Sequence, residues 1–219
     1  MALDVIDQVG AVRREARSAV RDGKPVRVVA AAQSYDAEIA DVWDAITNAE
    51  RIPRWFLPIS GELRLGGRYS LEGNADGEIL ECDPPSRLAV TWEFGGDVTW
   101  LEVRLDADGD RTTLELEHSA QVPPERWAEF GPGAVGVGWD LTLMGLAQHL
   151  GPGAPSVEPA TAMAWMGSDE GLAFMARSSD AWADAAIAGG DDEIAARAAA
   201  DRTIAAYTGS DATADAPDG

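Results

Sequence analysis

Pro84-Pro85-Ser86-Arg87-Leu88-Ala89-Val90-Thr91-Trp92-Glu93-Phe94 decides the fold. A Pro-Pro turn opens into a segment whose alternate residues are Leu88, Val90, Trp92 and Phe94. Arg87, Thr91 and Glu93 occupy the opposite face. Strict period-two alternation of this kind predicts a half-buried antiparallel strand. Its buried face is bulky and aromatic, so it can fill a core or line a cavity.

Working outward, the same pattern continues on both sides. Turn signals at Gly66-Gly67, Gly73–Gly77, Gly95-Gly96-Asp97 and Asp106–Asp110 separate short alternating runs. These runs are Leu63–Leu65, Arg68–Glu72, Glu78–Asp83, Val98–Leu105 and Arg111–His118. Turns every 8 to 12 residues predict an antiparallel meander. Val26–Tyr35 is a further β-branched strand. Asp36 is the expected N-cap of a helix carrying Ile39, Val42, Trp43 and Ile46. Thr47-Asn48-Ala49-Glu50 has the form of a capping box that would start a second short helix through Ile52, Trp55 and Phe56. Beyond the meander, Pro123 and Pro124 open a helical region through Trp127 and Phe130. A longer helix to about Leu150 presents the stripe Val135, Trp139, Leu143, Leu146 and Leu150.

The flanks divide the chain further. Residues 1–24 are predicted as an N-terminal helix, stopped by Asp22-Gly23-Lys24-Pro25. Residues 25–150 form the main domain, 151–158 a Gly/Pro linker, and 159–208 an Ala-rich helical extension. Leu172, Met175, Ser179, Trp182 and Ala186 form one stripe in that extension. Residues 209–219 are polar and acidic, a composition that predicts disorder.

Composition narrows the functional classes. The formal net charge of -21 repels nucleic acid and anionic membrane surfaces. No apolar run is long enough for a transmembrane helix, and Met1–Gly10 lacks the layout of a secretory signal. Cys82 is the only cysteine, which rules out an internal disulfide and suits a cytoplasmic location. The acidity, with abundant Ala, Gly and Arg, points to a GC-rich bacterial or salt-adapted host.

The order strand, short helices, antiparallel strands, long helix resembles the START-like (SRPBCC) superfamily. It is similar in particular to bacterial homologues of the Aha-type heat-shock ATPase activator. The matching pieces are Asp41-Val42-Trp43-Asp44-Ala45-Ile46-Thr47, Arg54-Trp55-Phe56, Leu65-Gly66-Gly67-Arg68-Tyr69, Asp83-Pro84-Pro85-Ser86-Arg87-Leu88, Val90-Thr91-Trp92 and Gly138-Trp139. They span residues 25–150. The resemblance implies an α+β helix-grip fold, with a bent antiparallel sheet wrapped around the long C-terminal helix and an apolar cavity between them. The N-terminal helix and everything after Gly151 lie outside that core.

Trp55, Phe56, Tyr69, Trp92, Leu116, His118, Trp127, Trp139 and Leu143 are the candidate ligand-binding residues. Tryptophans offer large apolar area and an N–H that orients a polar ligand atom; equally, they can simply fill a core. His118 continues the buried alternation Leu114, Leu116, His118, so it can meet a ligand oxygen or serve as an acid or base; its alternative is a histidine satisfied by the sheet. His149 ends a helix, where positive charge suits the dipole. Cys82 reads as a small buried hydrophobe.

Two histidines and one cysteine without close spacing give no metal site, and no cofactor is expected. Gly131-Pro132-Gly133-Ala134-Val135-Gly136 fits G-x-G-x-x-G but follows a helix rather than a strand, so it is no dinucleotide fingerprint. Those glycines are expected to bend the helix and let it approach the sheet. Glu102 and Arg104 lie on the wet face of their strand, where a cross-strand ion pair with Arg87 or Arg111 is expected to be of small value. The leading function is binding of a small hydrophobic or aromatic ligand. The alternatives are a polyketide cyclase or aromatase-like enzyme using His118, Tyr69 and Arg68, and a chaperone-associated interaction module. The C-terminal helices could serve as a protein-docking or homodimer surface, or could pack on their own domain.

Overall fold

A computed structural model of the protein describes residues 5–153 and 156–209. Its centre is one eight-stranded, wholly antiparallel open sheet: β1 (Arg13–Arg21), β2 (Lys24–Tyr35), β3 (Ile59–Gly61), β4 (Arg68–Leu71), β5 (Asp76–Asp83), β6 (Arg87–Phe94), β7 (Asp97–Asp108) and β8 (Arg111–Ala120). The spatial order is β1-β2-β8-β7-β6-β5-β4-β3. Strands β3 to β8 are therefore a simple meander that closes on β2, and β1 is added at the far edge. The opening stretch is β6, reached from β5 through the cis Pro84–Pro85 turn. Leu88, Val90 and Trp92 point inward, as their alternation dictates. Phe94 does not stay buried: it ends the strand at the Gly95-Gly96 turn and is 60% exposed.

Two helices occupy the concave side of the sheet, α2 (Ile39–Thr47) and α4 (Gly133–Leu150), with the short α3 (Pro124–Phe130) leading into α4. Trp139, Leu143 and Leu146 of α4 are buried against the strands, while Val135, at the exposed start of the stripe, is not. This is the α+β helix-grip arrangement.

Three local expectations are corrected. The first is the N-terminal helix over residues 1–24. The described helix, α1, covers only Val5–Gly10, and Arg13–Arg21 is strand β1. Asp22-Gly23 is a hairpin turn rather than a helix stop: both residues have positive φ (51° and 74°), the requirement of a type I′ turn, and Arg21 pairs with Lys24. The second is the helix after Thr47, which reduces to one 3-10 turn, Ile52–Arg54. The Thr47 hydroxyl donates back to Trp43 O, and Asn48 Oδ1 takes the Glu50 N–H, so no capping box forms. The third is the strand at Leu63–Leu65. The strand lies at Ile59–Gly61 instead, and the following residues turn. The cap of α2 is likewise Glu38, while Asp36 pairs with Arg111 at 2.9 Å.

The outer face of the sheet is covered by ion pairs rather than helices. Arg17 reaches across β2 to Glu117 (2.7 Å), over the buried Val28 and Ala30. Arg13 pairs with Glu115, and Glu102 receives Arg21, Arg87 and Arg104. Of the two expected cross-strand partners, Arg87 pairs with Glu102 as one member of a ladder, whereas Arg111 pairs with Asp36. Exposed pairs contribute little each; here their aliphatic stems also cover apolar strand.

The extension contains α5 (Pro159–Met166), α6 (Asp169–Ala188) and α7 (Glu193–Thr208). Helix α6 starts at Ser168, whose hydroxyl accepts the Gly171 N–H, and α7 at Asp192, which accepts that of Ala195. Helix α6 lies on α4 and on β1; a Cβ on Gly189 at its end would sit 2.1 Å from Ala16 O. Phe174, Met175, Ser179, Trp182 and Ala186 are buried there, so these helices pack on their own domain. Gly133 and Gly136 of α4 serve the contacts with the C-terminal helices, not an approach to the sheet: a Cβ on Gly136 would be 2.3 Å from the Trp182 ring, and one on Gly133 3.1 Å from Thr203. The remaining linker residues 154–155 and the tail from 210 lie outside the described residues.

At this junction sits a buried ion pair. Arg14 of β1 meets Asp140 of α4 (Nη2–Oδ2 2.9 Å, Nε–Oδ2 3.0 Å). Ser178 Oγ and Trp182 Nε1 of α6 also donate to Asp140 Oδ2, and Arg14 Nη1 donates to the carbonyls of Val9 in α1 and of Val12 just beyond it. Burial holds the Asp140 carboxyl above the ordinary carboxylate range, with Arg14 and the Ser178 and Trp182 donors pulling against it. Every partner is a donor, a set only the carboxylate anion satisfies. One cluster thus ties β1, α1, α4 and α6 together.

Candidate functional site

Between the concave sheet and α4 lies a cavity of about 150 Å³. Strands β4 to β8 supply Tyr69, Ile79, Leu88, Val90, Trp92, Leu101, Val103, Leu114 and Leu116; α4 supplies Trp139, Thr142, Leu143 and Leu146. Ile46, Thr47, Ile52, Trp55, Phe56, Ile59 and Leu63, from the end of α2 to just beyond β3, close the remaining side. That last wall is held by specific bonds. Trp55 Nε1 donates to Ala45 O, and Arg51 joins Asp41, Asp44 and His149. The linker returns to it through Val157 N–H to Arg54 O.

The polar atoms of the wall are nearly all spent within the protein. The hydroxyls of Thr47, Tyr69 and Thr142 donate to the carbonyls of Trp43, Thr91 and Gly138 at 2.7, 2.7 and 2.9 Å. Burial raises the Tyr69 hydroxyl above its ordinary value, so it stays protonated. Cys82 lines the cavity and is half-buried. An apolar space of this volume can take an apolar guest; a sealed engineered cavity of about 150 Å³ is known to hold benzene.

Seven of the nine candidate residues line the cavity: Trp55, Phe56, Tyr69, Trp92, Leu116, Trp139 and Leu143. His118 and Trp127 do not. Trp127, on α3, is buried away from it: its Nε1 donates to Asp191 at 2.7 Å and Arg27 stacks on its ring at 4.5 Å. His118 sits behind Trp92 and Trp139 and is committed on both nitrogens. Trp139 Nε1–H can only donate, so His118 Nδ1 accepts (3.1 Å). The ring proton therefore sits on Nε2 and faces Thr99 Oγ1 (2.7 Å), whose own proton goes to Trp92 O (3.0 Å). Burial pushes the His118 pKa down to about 4, so the ring is neutral. The chain of bonds joins α4 to β6, β7 and β8, which makes His118 a positioning residue.

His149 also departs from expectation. Its Nε2 accepts from Arg51 (3.3 Å), so it is a neutral acceptor rather than a cation on the helix dipole. Burial, then the neighbouring Arg51 and Arg54 charges, lower its pKa. Sequence reasoning missed Arg51, Arg14 and Asp140, because each depends on contacts distant in sequence. Among the described residues no cluster of three His, Cys, Asp or Glu could hold a metal, and no helix is long and apolar enough to cross a membrane.

An open antiparallel sheet gripping a helix across an apolar cavity defines the START-like (SRPBCC) class. Within it, the chain belongs to the family of Activator of Hsp90 ATPase homolog 1-like proteins, whose model matches residues 36–151, just over half of the sequence. Among solved structures it is similar to CalU16 from Micromonospora echinospora. The crystal structure of that protein is 33% identical (TM-score 0.64), with 80% of this chain and 98% of that one covered. The solution structure gives 34% and 0.69, with 82% and 97% covered. Each of these matches covers more residues than lie in 1–151, so both reach into the part of the chain after residue 151. DynU16, a protein in the dynemicin biosynthetic locus, is 25% identical (TM-score 0.54) over 60% of this chain and 49% of that one. No curated protein matches significantly.

Proposed function

We propose that this protein binds a small hydrophobic, ring-containing molecule in the cavity between sheet and α4, and that it does so in the cytoplasm. The observation that carries the reading is an apolar space walled by four aromatic rings besides Trp139, with the wall's hydroxyls turned to backbone carbonyls. Burying about 200 Å² of such a guest at ~25 cal/mol per Å² is worth about 5 kcal/mol, a Kd on the order of 0.2 mM for the bare ring.

The lining favours holding a molecule over converting it. Its titratable side chains are Tyr69, kept protonated, and Cys82. His118, the residue a cyclase reading would use, spends both nitrogens on Trp139 and Thr99. DynU16's biosynthetic locus supports a small-molecule setting over a chaperone one.

Ligand-detected NMR with toluene, on wild type and on Leu116→Trp, tests the reading. Saturable binding to wild type, lost in a Leu116→Trp protein that still melts cooperatively, is the expected result. Equal binding by both places the guest elsewhere, and no binding by either refutes the proposal.

A further inference from the structure

Three indoles line the cavity, and two are committed. Trp55 Nε1 donates to Ala45 O and Trp139 Nε1 to His118 Nδ1. Among the described residues Trp92 Nε1–H donates to no protein atom. With the three hydroxyls already bonded, Trp92 is the one strong donor of the wall left free; the Cys82 thiol is a weak one.

Trp92 is also held in place before any ligand arrives. Its carbonyl accepts from Thr99, which His118 anchors, and its ring meets Trp139 edge-on at 5.2 Å between centroids. The tilted His118 ring lies 6.3 Å behind it. A donor fixed in this way loses little freedom on binding, which is what a specificity contact requires. Apart from the bonded hydroxyls of Thr47, Tyr69 and Thr142 and the Cys82 thiol, the wall is hydrocarbon and aromatic ring, and it holds no charged side chain to meet a buried charge on the ligand.

Resting on the reading that the cavity binds a ligand, we propose that Trp92 Nε1–H sets its specificity. The ligand is then a neutral ring compound carrying one hydrogen-bond acceptor, a ketone, aldehyde or ether oxygen, and no ionised group in the cavity. A ligand lacking that oxygen fills the space but leaves the donor unused.

Cumene and acetophenone share a shape and differ in a carbonyl, so their affinity ratio isolates the contact. Calorimetry on wild type, Trp92→Phe and Cys82→Ala reads it. Trp92→Phe is expected to weaken acetophenone about tenfold more than cumene, the effect of leaving a buried carbonyl unpaired, while Cys82→Ala leaves the ratio unchanged. In the unmutated protein, the Trp92 indole N–H resonance is expected to move downfield with acetophenone and not with cumene, a readout independent of how the variant folds. Equal weakening of both compounds, a ratio that follows Cys82 instead, or an indole resonance that ignores the carbonyl overturns the proposal. Cumene binding without acetophenone binding leaves the cavity reading standing and removes Trp92 from it. Binding of neither overturns both.

Discussion

His118 shows how a residue can look chemical in sequence and be structural in space. Its inward alternation with Leu114 and Leu116 is legible, and the residue is buried. Its partners, Thr99 and Trp139, come from a neighbouring strand and a distant helix, and no local pattern announces them. Because the folded ring takes a proton only near pH 4 and the unfolded ring near 6.5, the unfolded state binds more protons between those values. Stability contributed by the neutral ring is therefore complete above pH 6.5 and falls by about 3 kcal/mol as pH drops to 4, levelling off below. Urea unfolding at pH 7 and pH 4.5 should show that loss in wild type and a smaller one in His118→Phe. At pH 7 the same variant should be about 2–3 kcal/mol less stable, since Trp139 N–H and Thr99 lose their partner. Arg14 obeys the same logic with charge. Arg14→Leu strands the buried Asp140 and should cost about 3–5 kcal/mol, whereas Arg14→Leu with Asp140→Leu should recover most of it. Chemical denaturation of the single and double variants checks both figures.

At the scale of elements, strand alternation was readable wherever one face was apolar, which is why β2 and β5 to β8 match expectation. Strand β1 was hidden because the alternate set Arg14, Ala16, Ser18 and Val20 buries only Arg14 and Ala16, and Val20 is 73% exposed, so this face carries a buried arginine instead of an apolar row. The Asp22-Gly23 dipeptide was the available clue, a hairpin signal ahead of a strand. Similarly, the glycines of α4 were visible but their partner was not. Gly136 faces Trp182, which is fully buried, and Gly133 faces Thr203 and Ser179. Gly136→Ala should therefore cost at least about 1–3 kcal/mol, because the rigid ring 2.3 Å from the new Cβ must shift. Gly138→Ala, whose Cβ would stand 3.4 Å from the Tyr207 hydroxyl, should be neutral or stabilising by up to ~1 kcal/mol from helix propensity. Thermal melts of the two variants separate tight packing from helix propensity.

For the whole molecule, the added strand and the added helices are one structural unit: α6 covers β1 and the back of α4, and the Arg14–Asp140 pair locks them. Ending the chain after residue 152 should expose that apolar seam and leave Asp140 without Ser178 and Trp182. Such a protein should aggregate or melt well below full length in light scattering and circular dichroism. A stable monomeric truncation would show that the family core stands alone. The helix-grip core was legible in the sequence because strand periodicity and turn spacing are local; the space within it was not, since a cavity is what side chains from β4 to β8, α2 and α4 leave unfilled together. That space is the central claim. Crystals grown with bromobenzene test it most directly: the account predicts a bromine anomalous peak between Trp92, Leu116 and Leu143. Peaks confined to the protein surface, with those side chains closed over an unoccupied centre, would contradict it.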